Sequence, residues 1–477
     1  MKTKILVRSF LCLLAALMML SCVACKKEDE SGGTANVSTP DGGSDNLYDT
    51  IAKVDMGGEE LVVASLPGWV ACWEYSEYTG DVIDDLEFER AVAFKETYNC
   101  EISIFEDNNL ASIIVANYTG GISDFDLIRP HPQTGIVSLM TSGALANGGN
   151  ISTLDFSSPW YNQAMIRNYT VNDRIYLFAN DSLIAGQGFT ALIYNKPLYD
   201  SYNLGYDIHS SVMERTWTAE QFRQLLVQTE SNDDNLDTKV YSLIVNEGSA
   251  HSWMYAFGGR ALKKNGDGDF VVGLNTTNVV DICEAFVDVL YSGDYLLTGY
   301  TDYAGTPTSK LYTTFVGKRA IFYHYDIGGL YYLLRDLPFD ISYAPLPLMN
   351  DTQKEYITFC GAGGYAIPSN AEHPDWSGIM VEYVGVHGYL TLKPAFFEVI
   401  LNGRLSDHPD DAAMLELLHS VKNFDMGFTL DSSDNTVNRM LRDVIMPVKT
   451  ATGAVFWLRS NQNKLDALAA TANTLGL

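Results

Sequence analysis

The ten residues ELVVASLPGW, positions 60–69, decide how the rest of the chain reads. ELVVASL is a β-strand by composition, and Pro67-Gly68 stop it at once. A polar start at Asp84-Asp85 then precedes Phe88, Ala91 and Val92, which predict one face of a helix. CEISIF (100–105) is the next strand, 110–117 a second helical stretch, and DFDLI (124–128) a third strand closed by the turn RPHPQTG. Strand, helix and strand in repetition predict an α/β fold.

The same grammar continues downstream. Thr218 and Gln221 are spaced as a capping box, with Trp217 and Phe222 where a hydrophobic staple closes, ahead of Leu225 and Leu226. Val279, Ile282, Cys283, Phe286 and Leu290 repeat at helical spacing until Gly293, and Met414, Leu417, Leu418 and Val421 do likewise. Between these helices LKKNGDGDFVVGL (262–274) reads as a hairpin around a Gly/Asp turn. It lacks the ligand spacing of a calcium loop. Cys72, Cys100, Cys283 and Cys360 match no metal signature, so no metal and no cofactor are expected; Cys72 and Cys100 are the pair to test for a disulfide, with free buried thiols the alternative.

With 477 residues the chain exceeds one ordinary core, and 47% hydrophobic against 19% charged residues is a globular balance, so two lobes are expected. Acidic residues outnumber basic ones 59 to 31. That excess excludes nucleic acid as a natural partner, since phosphates are held by Lys and Arg.

Lys2, Lys4 and Arg8 precede the apolar run 10–20, which is too short to span a bilayer and is followed by small residues, the order of an export signal over 1–24. MLSCVACKK (19–27) resembles a bacterial lipoprotein signal, with Cys25 the expected lipid anchor and Cys22 the alternative; plain secretion after Ala24 is the other reading. Residues 25–47 read as a flexible linker, since 28–46 are polar and rich in Gly, Ser, Thr and Asp.

In order along the chain, ELVVASL, FERAVAFKETYNCEISI (88–104), SDFDLIRPHPQTGIVSLMTSGALANG (123–148), SSPWYN, ALIYNKPLYD, ERTWTAEQFRQLL, WMYAFGGRA, FVGKRAIFYHYD and FDISYAPLPLMNDTQKEY (339–356) resemble the family 1 extracellular solute-binding proteins, the capture subunits of ABC importers. The resemblance implies two α/β lobes joined by hinge strands, a periplasmic-binding-protein-like fold of type II that closes over a solute. Carried over, lobe one is 48–190 plus 359–395 and lobe two 191–358 plus 396–477, with crossovers near Ala191 and Ile357. It also implies a non-enzymatic monomer with a small solute, here a carbohydrate, and permease subunits as partners. A sensor or adhesin subunit is the alternative, and a glycan-active enzyme a more remote one.

Ligands of open α/β sheets lie beyond the carboxyl ends of the strands. That rule selects Trp69, with Pro67 and Gly68, and Arg129, His131 and Gln133 from the first lobe. Glu247, Trp253, Tyr255, Tyr325 and Asp326 come from the second, and Trp160 from SSPWYN. Sugars present apolar faces to Trp and Tyr and hydroxyls to charged groups, which suits this mixture. No nucleophile elbow, zincin helix, Walker loop or dinucleotide fingerprint is present.

Overall fold

The computed structural model describes residues 47–475 except 69–72, 74–75, 132–133, 187, 301–308, 330–336, 362, 403–409 and 432–434. The export signal, Cys22, Cys25, the linker to residue 46, Trp69 and Gln133 therefore lie outside the described residues.

Two sheets organise the body. In the first, β1 (Glu60–Ser65) lies between β2 (Glu101–Glu106) and β3 (Leu127–Arg129), all parallel, with Ser65 level with Glu106 on one side and Arg129 on the other. The helix α1 (Val82–Tyr98) starts where the Asp81 carboxylate accepts from the Ile83 and Asp84 amides, and it ends at Asn99 in the left-handed region. Its buried face is Ile83, Glu87, Arg90, Ala91, Phe94 and Tyr98, so of the three expected positions only Ala91 is inside. The Phe94 and Tyr98 rings, 5.2 and 5.9 Å from Tyr383, set that rotation.

The second sheet has five strands in the order β10 (Ile341–Ala344), β4 (Thr190–Asn195), β9 (Ala320–Asp326), β5 (Tyr241–Asn246), β8 (Leu296–Gly299). β5 is parallel to β8 and β9, whereas β4 is antiparallel to β9 and β10. Every residue of β4 and β5 is buried, as expected for strands covered on both faces. The Thr218 hydroxyl accepts from the Gln221 amide, the Trp217 and Phe222 rings stand 5.2 Å apart, and Ala219–Gln228 follows as a helix. The hairpin also forms, β6 (Leu262–Lys264) against β7 (Phe270–Val272), with Asn265 Oδ1 holding the turn amides of Asp267 and Asp269.

The chain passes from one sheet to the other beside Phe189 and again between residues 358 and 366. Phe189, just before β4, pairs with Cys360, and β11 (Thr358–Phe359) runs parallel to β12 (Lys422–Asn423). The strand at 422–423 has no strand-like signal in the sequence. Helix α2 (Lys393–Asn402) packs on α1 and on residues 181–186, while α3 (Asp411–Ser420) packs on β10, so the chain leaves the first sheet between them. Cys100, Cys283 and Cys360 are buried, and Cys72, with it the expected Cys72–Cys100 pair, lies outside the described residues. No helix among the described residues is long and apolar enough to cross a membrane.

Candidate functional site

The crossing paths fix where the two sheets meet. Phe189 and Cys360 stand beside the start of β4, level with Asp326 at the carboxyl end of β9. Only a few residues later Tyr365 and Ala366 are in the first sheet, where Ala366 exchanges both backbone hydrogen bonds with Ile128, next to Arg129 at the carboxyl end of β3. The carboxyl rims of both sheets therefore border the same crossing region.

On the first rim, Gly68 takes a φ of 75° and its amide donates to Glu106 Oε1 at 2.9 Å, tying the β1 loop to the end of β2. His131 Nδ1 accepts from the Thr134 amide at 3.0 Å, and burial lowers its pKa, so the neutral ring carries its proton on Nε2. Arg129 is only 5% exposed. Its Nε and Nη1 have no hydrogen-bond partner, and it enters no ion pair among the described residues. An unmatched buried cation is costly, by several kcal/mol on general grounds of about 3–5 for a broken buried pair.

The second rim is differently furnished. Asn246, the last residue of β5, caps the Gly248 amide at 3.0 Å and so positions Glu247, which is half-buried. Tyr300 follows β8 directly and is 60% exposed. The Arg442 guanidinium lies 5.4 Å from the centre of that ring and pairs with Asp443 at 2.6 Å. The Asp443 hydrogen bond, helped by Tyr300 and Glu247, raises the Arg442 pKa. Asp326 is half-buried at the end of β9.

Burial separates the remaining expected residues from these. Trp253 is 0% exposed, with Phe222, Phe257, Phe286 and His324 around it, and Tyr255 is equally enclosed against Phe359, 4.8 Å between rings. Both are packed in the core, where the short helix His251–Ala256 turns their side chains. Tyr325 lies 4.8 Å from Tyr323, with burial and then Asp326 raising its pKa. Trp160 is a peg. Its Nε1–H donates to Glu382 Oε2 at 2.9 Å, while Tyr161 and the Asp155 amide donate to Oε1, and burial pushes this carboxyl up to about 7. Of the expected residues, the structure brings Arg129, His131, Glu247 and Asp326 to the rims.

Sequence reasoning missed Tyr300 and Arg442. The strand-end rule finds Tyr300 once LLTG is read as a strand, but Arg442 reaches the rim from 142 positions away and has no local signal. Where the crossings meet, Asp181 receives Lys393 at 2.6 Å and His419 at 3.4 Å, and Lys422 lies 5.4 Å over the Phe189 ring. Burial alone would raise the Asp181 pKa, but His419 and the charges of Lys393 and Lys422 outweigh it and hold it low. Among the described residues no group of three or more His, Cys, Asp or Glu is placed to hold a metal ion.

No family model matches the chain, and no curated protein matches it. Solved structures do. The chain is similar to an ABC substrate-binding protein of Listeria monocytogenes in complex with cycloalternan, with 15% identity over 87% of this chain and 99% of that one and a TM-score of 0.54. A sugar transporter of Rhizobium etli in an open conformation gives 13% identity, 87% and 99% coverage and a TM-score of 0.56. An ABC transporter solute-binding protein of Thermotoga lettingae bound with α-D-tagatose gives 12%, 87%, 100% and 0.54. At such identities the likeness shows the fold: two α/β lobes of the solute-binding type.

Proposed function

We propose that this chain, which has the fold of the substrate-binding components of ABC importers, captures a small carbohydrate outside the cell and hands it to a permease. The observation that carries the reading is that the carboxyl rims of both sheets border the crossing at Phe189 and Cys360, with Arg129 and His131 on one and Glu247, Tyr300, Asp326 and Arg442 on the other. Adjacent crossing segments are a natural hinge, since a rotation about them is shared by few residues. Closure over a sugar would dry the hydrogen bonds at the rims, where those to charged groups are worth about 1.5–3 kcal/mol each.

In this reading Arg129 and His131 meet the solute from the first lobe, and Glu247, Asp326, Tyr300 and Arg442 from the second. Tyr300, exposed and backed by a guanidinium, is a stacking surface for a sugar ring. Lipidation at Cys25 would hold a monomer at the cell surface on the 25–47 linker, with lobes divided near residues 190 and 358.

Catalysis has one apparent foothold, and its burial argues against it. Ser342, His209 and Asp411 contact one another, Ser342 donating to Asp411 Oδ1 with His209 Nε2 2.8 Å from the same oxygen. All three are enclosed in the second lobe, where no substrate reaches the hydroxyl. The test is titration of the purified protein with mono- and oligosaccharides, amino acids and short peptides, followed by intrinsic fluorescence and calorimetry. A saturable sugar response near micromolar, about −8 kcal/mol, is expected; silence toward every sugar from folded protein would overturn the reading.

A further inference from the structure

Arg129 ends β3 at the first rim, only 5% exposed, with its Nε and Nη1 buried and without a hydrogen-bond partner and with no carboxylate paired to it among the described residues. We infer that the captured solute carries an oxyanion, a carboxylate or a phosphate ester on a sugar-sized body, which pairs with Arg129. The inference rests on the proposed capture of a carbohydrate between the lobes, and it names the chemical class.

Three observations lead there. First, the other arginine at the rims is settled, Arg442 having Asp443 beside it and Tyr300 beneath it. Second, 59 acidic residues against 31 basic ones leave carboxylates in abundance, yet among the described residues none pairs with Arg129. Placement explains that, since Ser65, level with Arg129 on β1, brings a hydroxyl to this edge, and Glu106 is engaged by the Gly68 amide on the far side of β1. Third, a chain with net charge −28 repels anions at long range, so an anionic solute requires a dedicated buried cation. A guanidinium meets a carboxylate or phosphate through two parallel hydrogen bonds, which a neutral hydroxyl cannot match.

Calorimetry on the purified full chain tests this with three arms: neutral sugars, the same sugars bearing a carboxylate (glucose against glucuronate, and longer uronate-containing oligosaccharides), and their phosphate esters. One acidic arm is expected to bind about 100-fold more tightly than its neutral counterpart, the worth of a charge-assisted pair. Arg129→Met should erase that preference while leaving the sugar-free melting temperature unchanged or higher. Arg129→Lys, which keeps charge without the planar fork, should retain the preference at roughly tenfold lower affinity.

Whichever acidic arm binds tells carboxylate from phosphate. Equal affinity for neutral and acidic sugars, unaltered in either variant, overturns the oxyanion while leaving carbohydrate capture standing. Silence of all three arms from folded protein overturns both. If the Met variant fails to fold, a Lys variant that no longer distinguishes the arms shows Arg129 to be structural and overturns the inference.

Discussion

The two rims differ in how their cations are settled. On the second sheet Arg442 has a carboxylate at 2.6 Å and an aromatic ring 5.4 Å away, and the charge is balanced with the protein's own groups. On the first sheet Arg129 is more deeply buried and has neither among the described residues. The difference teaches that one rim is electrostatically complete on its own and the other is not. A residue's burial and its partners, read together, separate a surface built for rigidity from one built to receive something.

The contrast can be broken or sharpened by mutation. The largest expected effect lies beneath the second rim: Trp253→Ala should lower unfolding free energy by about 3–5 kcal/mol in a denaturant titration, as cavities left by large core side chains do. A loss under ~1 kcal/mol would mean that this rim does not rest on the aromatic core beneath it.

Beneath the first sheet the corresponding foundation is Glu382, held by Trp160, Tyr161 and the Asp155 amide. Its folded pKa, about 7, exceeds the ordinary carboxylate value because of burial, so the protonated form is favoured in the fold. That contribution is fully present below the unfolded pKa near ~4.5 and is lost as pH rises through about 7, for a total on the order of 3 kcal/mol. The melting temperature should therefore fall between pH 5 and 8 by more in the parent than in Glu382→Gln; identical slopes would remove the carboxyl from the account.

The smallest effects bear on the rims directly. Arg442→Met should cost about 0.5–1 kcal/mol, the range for a partly exposed ion pair with a stacked ring. Arg129→Met should cost nothing or stabilise the solute-free protein, because it removes an unmatched buried charge. If Arg129→Met proved the more damaging of the two in thermal melts, the comparison of the rims would be inverted.

Much of the fold was legible because it is written locally. Continuous apolar runs identify β1, β4 and β9, and the Thr218 cap, the Trp217–Phe222 staple and the Asn265 turn are short-range devices whose chemistry is complete within a few residues. The site was legible only in part. The strand-end rule reached Arg129, His131, Glu247 and Asp326, but it also selected Trp253 and Tyr255, which a helical turn carries into the core. Aromatic residues near a strand end satisfy the rule whichever way they point. The strand β12 was silent for a similar reason: Lys422 and Asn423 are polar in sequence, and their strand conformation comes from pairing with Thr358 and Phe359.

By itself the sequence determined which segments are strands and helices and that they alternate into an α/β chain, because hydrophobic spacing, caps and turn residues act over short distances. Tertiary structure alone decided that Arg442 lies over Tyr300 while Arg129 has no ion-pair partner among the described residues, and that Trp160 is a peg on Glu382. Arg442 and its carboxylate are neighbours in the chain, but the ring beneath that guanidinium and the partner of Glu382 lie 142 and 222 positions away, and only the folded backbone brings such groups within reach.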